Sequence, residues 1–225
     1  MKILKQHEQM EMFVLDEMRK IKILDQMIFG GGTMLRLCFD LPRYSVDLDF
    51  YLKDDKHPFR PWADKFSKCL GELGAVVTDH QEKHFTYLWE FKLADYPRKL
   101  KIEARKEPKE AEQTEITIAH SPFSPLQVRL TTLSLQQMWI NKVRALTDRV
   151  EIRDAYDLEF LTRRRAGSFE ALDKAVLGKM MTTVEAFTKQ DFKVKLGSVL
   201  DEEERKTVLS NRFGYLKSKI APLLT

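Results

Sequence analysis

Two aspartates, Asp47 and Asp49, interrupt the apolar run VDLDFYL. In a strand, residues two apart point to the same face, so these carboxylates would stand side by side and repel each other. Such a pair has a direct chemical use. It can bind Mg²⁺, which prefers oxygen ligands and takes one or two carboxylates together with substrate phosphates. The competing explanation is the solvated face of an edge strand, with Val46, Leu48 and Phe50 turned inward. Some fifteen residues upstream, Gly31, Gly32 and Thr33 would let backbone amides approach phosphate oxygens with no side chain in the way. A helix C-cap followed by a new helix would place glycines there equally well, but a Gly-rich turn ahead of a DxD strand favours phosphate chemistry.

The chain that must position these groups has 225 residues, 43% of them hydrophobic, enough for one large domain or two small ones. Its 38 Lys and Arg against 34 Asp and Glu leave +4, which permits contact with a polyanion without demonstrating it. The two cysteines, Cys38 and Cys69, form no metal-ligand pair and argue against a disulfide scaffold. His57, His80, His84 and His120 are scattered, with no HxxxH or HExxH arrangement. No segment reaches the ~20 apolar residues of a membrane span, and MKILKQHEQMEMF carries charge where a signal peptide needs its apolar region. A cytoplasmic protein that does not enter a membrane is expected.

The pattern changes near residue 130, giving an expected mixed α and β domain over 1–130 and a helical domain over 131–225. In the first, periodicity predicts helices over 8–25 and 62–73 and strands over 47–52, 75–79, 85–93, 100–105 and 115–119. In the second, SLQQ from Ser134 and TTVEAF from Thr182 read as capping boxes that open helices. EIRDAYDLEFLTRRR reads as a further helix, and the acids of DEEERK suit another helix N-terminus. The fold class expected is α+β.

The motifs carry a resemblance. GGTMLRL followed by RYSVDLDF resembles the signature of the AbiEii/AbiGii toxin family, a branch of the nucleotidyltransferase-fold superfamily that includes MenT-type toxins. LSLQQMWINKVRALTDRVEIRDAYDLEFL is similar to the family's second block, with Lys142, Ala145, Arg149, Arg153, Asp154, Tyr156 and Asp157 in the recurring places. The resemblance implies a mixed sheet with flanking helices and a helical C-terminal domain facing it across a cleft. It also implies a third carboxylate on a neighbouring strand, matched by Glu103 in KLKIEARK; an exposed strand Glu flanked by Lys101 and Arg105 is the alternative there. Lys142 and Asp157 would close the cleft from the helical side, the Lys on a triphosphate and the Asp orienting it or taking a proton. Arg43 and Ser45 would contact phosphate, and Arg36 would do the same or cover the helix surface.

By resemblance, then, the protein is expected to be the toxin of a toxin–antitoxin or phage-defence pair with a cognate antitoxin. It would transfer a nucleotide from a nucleoside triphosphate, with Mg²⁺ or Mn²⁺, to an RNA acceptor such as the 3′ end of a tRNA. Two other classes stay open: a non-catalytic module that binds a nucleotide or a partner protein, and a small-molecule nucleotidyltransferase.

Overall fold

A computed structural model describes residues 1–53, 58–107 and 113–225 and divides them into two compact units, 1–134 and 135–225. His57 lies outside the described residues. The first unit opens with helix α1 (Lys2–Lys20), then strand β1 (Met27–Gly30), helix α2 (Gly31–Phe39), strand β2 (Asp47–Leu52) and helix α3 (Arg60–Glu72). Strands β3 (Val76–Glu82), β4 (Thr86–Lys92), β5 (Leu100–Arg105), β6 (Thr114–Ser121) and β7 (Ser124–Leu133) follow. The seven strands form one mixed sheet in the order β3-β4-β5-β2-β1-β7-β6. Strand β2 is therefore interior, parallel to β5 on one side and antiparallel to β1 on the other. An edge-strand explanation of the two aspartates is thereby removed.

Alternation decides which face each residue takes. In β2, Leu48 and Phe50 are buried, and Phe50 stacks on Phe29 of β1 at 5.0 Å between ring centroids. On the same side of the sheet, Phe66 of α3 packs edge-on against Trp89 of β4 at 5.4 Å. This apolar side anchors the strand, so Asp47 and Asp49 are left on the opposite side, both half-buried.

Three elements differ from what periodicity predicts. The glycines do not follow a helix but open α2 directly after β1, whose four residues are all buried and too few to show alternation. Strand β7 was not expected at all; Pro125 lies in its first residues, where a strand tolerates proline.

The second unit contains α4 (Leu135–Arg149), α5 (Ile152–Arg163), α6 (Lys174–Ala186), α7 (Glu202–Asn211) and α8 (Gly214–Ile220). Helix α4 begins immediately after Ser134, and Asp201 caps α7 by accepting from the Glu204 amide at 2.9 Å. Thr182 does not start a helix. It lies in the last turns of α6, and its hydroxyl donates back to the Gly178 carbonyl at 3.0 Å, the i−4 bond that competes with capping.

Helix α1 is buried on more sides than its apolar stripe suggests, and ion pairs account for the excess. Glu8 accepts from Arg36 of α2 at 2.9 Å and from Ser121 at the end of β6 at 2.6 Å, while Arg36 also donates to the Leu41 carbonyl and lies over the Tyr44 ring. Arg36 is thus fully committed to joining α1, α2 and the loop before β2. Replacing it with Ala should cost about 3 kcal/mol, because the Glu8 carboxylate loses its cation in a buried position. Urea unfolding of Arg36→Ala checks this; a midpoint like that of the natural protein would return Arg36 to a solvent-facing role.

Candidate active site

The register of the sheet assembles the carboxylates. Asp49 of β2 stands opposite Glu103 of β5, and Asp47 stands opposite Lys101, so all four side chains share one face. On the other flank, Asp49 faces Gly30 of β1, where the chain turns into α2. Gly31 has φ +74°, and a Cβ there would overlap the Asp49 carboxylate. Both facts call for glycine, one conformational and one steric. The N-terminus of α2, where a helix leaves its first amides without intrahelical partners, consequently lies beside Asp49, and a helix N-terminus suits an anionic phosphate.

The remaining residues named from the motif converge on the same place. The Thr33 hydroxyl donates to the Asp47 carbonyl at 2.5 Å, which ties α2 to the start of β2 and leaves the Thr33 contribution to a ligand with its backbone. A Cβ on Gly32 would overlap the Arg43 guanidinium and come 3.0 Å from Ser45 Oγ. Arg43 is buried and donates to the Tyr44 carbonyl at 3.0 Å, so its positive charge is fixed against the first turn of α2. Glu103 receives the Lys101 ammonium at 2.8 Å.

Do these donors fit a metal ion? Among the described residues no three His, Cys, Asp or Glu side chains converge as a ready-made cage. Mg²⁺ does not require one, since it keeps waters and takes its other ligands from substrate phosphates. Two hard oxygen ligands on one strand face, with a side-chain-free turn against them, fit that requirement.

Sequence reasoning missed the support behind β2. His7 of α1 donates through Nε2 to the Val46 carbonyl at 2.9 Å, and Glu11, one turn along, lies 3.5 Å from the same nitrogen. Burial depresses the His7 pKa, and burial, followed by the fields of Glu8 and Asp47, raises that of Glu11 well above the carboxylate range. The lowered pKa keeps His7 neutral near pH 7, so it anchors the strand without adding charge, and burial favours the neutral form of Glu11. The available signal was ionisable residues, His7, Glu8 and Glu11, set among the apolar residues of the first turns of α1.

In the helical unit, Lys142 was expected to face a cleft. Its ammonium is buried, 2.8 Å from Asp154 Oδ1 and 2.7 Å from Asp157 Oδ2, with both carboxylates on α5. Arg149 adds two bonds to Asp154, at 2.6 Å and 2.8 Å. Burial alone would raise the Asp154 pKa; the Arg149 bond and the Lys142 charge outweigh it and bring the pKa down to about 2. Lys142, Arg149, Asp154 and Asp157 of the second motif block therefore form an ionic network between α4 and α5.

The family model described as "Nucleotidyl transferase AbiEii toxin, Type IV TA system" matches residues 14–222. A putative nucleotidyltransferase from H. pylori shares the fold at a TM-score of 0.56 and 18% identity, covering 96% of this chain and 97% of that one. JHP933 from Helicobacter pylori does so at 0.53 and 18%, covering 95% and 94%. MenT4, a nucleotidyltransferase toxin from Mycobacterium tuberculosis H37Rv, gives 0.49 and 15%, covering 93% and 85%. No curated protein matches. No helix among the described residues is long and apolar enough to cross a membrane.

The network in the helical unit makes two predictions. Lys142→Met should destabilise the protein by about 3–5 kcal/mol, since Asp154 and Asp157 would be left buried without their shared cation; a thermal melt reads this, and an unchanged midpoint would show the pair to be solvated. The Asp154 pKa is lowered from 3.8 to about 2, so its contribution, about 2 kcal/mol, is present above pH 4 and is lost as pH falls through 2. Asp154→Asn should lack that part of the acid transition in pH-dependent denaturation.

Proposed function

We propose that this chain, which belongs to the AbiEii nucleotidyl transferase toxin family, joins a nucleotide from a nucleoside triphosphate to an RNA acceptor, with Asp47 and Asp49 holding the divalent ion. The observation that carries this reading is a pair of carboxylates on one strand face, of which Asp49 lies against the side-chain-free N-terminus of α2. A carboxylate pair and a row of amide donors are what a metal-bound triphosphate needs from a protein. Bound there, Mg²⁺ or Mn²⁺ would supply charge neutralisation at the reacting phosphate.

The residues of the chain do the positioning. Thr33 and His7 fix the backbone of β2, so that both carboxylates keep one orientation. The amides of Gly31, Gly32 and Thr33 receive phosphate oxygens, and Arg43, with Ser45 beside it, adds positive charge at that turn. Glu103 is the third carboxylate of the set. The resemblance also assigns Lys142 to the triphosphate and Asp157 to its orientation. An ammonium has three donors, and the two aspartates engage two of them.

For the acceptor, the location of charge supports RNA. Residues 135–225 contain 17 Lys and Arg against 13 Asp and Glu, a net +4, whereas residues 1–134 balance 21 against 21. The whole excess lies in the helical unit, where a polyanion would be attracted. The 3′ end of a tRNA is the acceptor proposed, in the cytoplasm, and inhibition of translation the outcome that a cognate antitoxin opposes.

Purified protein incubated with each labelled triphosphate, Mg²⁺ and total RNA tests the reading. It predicts label on one RNA class from one preferred nucleotide. Asp47→Asn and Asp49→Asn should each lower transfer by about 10³-fold or more, the scale that charge stabilisation reaches in phosphoryl transfer. Stability should stay within about 1 kcal/mol, because the substituted groups are not core. Undiminished transfer in either variant, or no labelled RNA from any nucleotide, contradicts it.

A further inference from the structure

Lys101 has no part in either sequence motif, yet it stands on the same sheet face as the proposed metal ligands. Its register partner on β2 is Asp47 and its partner on β4 is Glu90. Its ammonium has two carboxylate neighbours within reach, Glu90 and Glu103, and it bonds Glu103 at 2.8 Å. Glu90 is engaged through one oxygen by Lys99 at 2.9 Å and by the Thr78 hydroxyl at 2.7 Å, while Lys101 bonds along its own strand to Glu103.

The surroundings of Lys101 are strongly negative. Its bond to Glu103, and then the fields of Glu103, Asp47 and Asp49, hold its pKa above the ordinary lysine value. The side chain is 40% exposed and Glu103 28% exposed. Solvent can reach the pair, and a pair so exposed is readily exchanged. A flexible four-carbon stem lets the ammonium leave without disturbing the strand.

We infer that Lys101 is a built-in counter-ion that competes with the divalent ion for this carboxylate face, so that the ion enters effectively only together with the triphosphate. This rests on the proposed metal role of Asp47 and Asp49. A free Mn²⁺ ion approaching the face meets a resident cation already bonded to Glu103, and like charges at short range repel. A metal–triphosphate complex is net negative and does not. Entry of that complex frees the ammonium from the competition and places it beside an anion instead. Lys101 is thus a positioning residue, acting through the occupancy of the metal site.

Mn²⁺ binding to the full-length protein, read as loss of the free-ion electron paramagnetic resonance signal with and without a non-hydrolysable triphosphate, tests this. Natural protein should bind Mn²⁺ weakly alone and far more tightly with the nucleotide. In Lys101→Met, which keeps the stem and removes the charge, Mn²⁺ alone should bind about tenfold tighter, equivalent to 1.4 kcal/mol. The gain from adding nucleotide should shrink in proportion. Lys101→Arg should behave as the natural protein does, and Lys101→Gln serves if the Met variant fails to fold. Equal or weaker Mn²⁺ binding in the neutral variants overturns the inference. Asp49→Asn separates the two levels: if it leaves Mn²⁺ binding intact, the metal site itself is misplaced and the role of Lys101 falls with it. If it abolishes binding while Lys101→Met changes nothing, only the role of Lys101 is wrong.

Discussion

Two carboxylates on one face of an interior strand repel each other, and much of the first unit can be understood as the management of that repulsion. The aspartates cannot rotate away, because Leu48 and Phe50 between and beyond them are sealed into the core on the other side of β2. They cannot be relaxed by moving β2, because neighbours on both sides fix its register. What remains is compensation from outside the strand. Lys101 contributes a mobile charge, the first turn of α2 contributes fixed dipoles, and a bound cation would contribute more than either. A face of hard carboxylate oxygens that a further cation would stabilise is suited to bind one.

The helical unit meets the opposite demand. There a positive group, Lys142, is buried between two aspartates of α5 with Arg149 closing the outer side. Buried ionic clusters of this kind contribute little net stability over apolar packing, but each member becomes indispensable once the others are present. Sequence blocks shared with relatives can therefore record structural interdependence as well as contact with substrate. Lys142, Asp154 and Asp157 show that a motif lysine and the aspartates one helix further on are partners before any ligand is considered.

How much of this was legible in the sequence depends on how local each signal was. The alternation of VDLDFYL predicts β2 and puts both aspartates on one side, because strand period is a property of consecutive residues. Helices α4 and α5 and the start of α7 were legible for the same local reason, whereas Thr182, read as a helix start, lies in the last turns of α6. Strand β1 was hidden, since MIFG has no polar residue to alternate with, and with it the fact that the glycines begin a helix after a strand. A third carboxylate at Glu103 on a strand beside the aspartates was anticipated from resemblance, but its bond to Lys101 two residues along the same strand was not. His7 and Glu11 were overlooked because helical periodicity registers where charge interrupts an apolar stripe without revealing what the charge faces. The burial of Lys142 was not legible, because resemblance pointed it to a cleft and the sequence does not show which opposite charges of an adjacent helix accompany it inside.

The central claim is that the Asp47 and Asp49 face binds a divalent ion together with a triphosphate at the N-terminus of α2. Anomalous diffraction from crystals soaked with Mn²⁺ and a non-hydrolysable nucleoside triphosphate would test it most directly. The account predicts a manganese peak coordinated by carboxylate oxygens of both aspartates, with phosphate oxygens accepting from the amides of Gly31 to Thr33. Manganese bound elsewhere, or a nucleotide held with neither aspartate engaged, would contradict it.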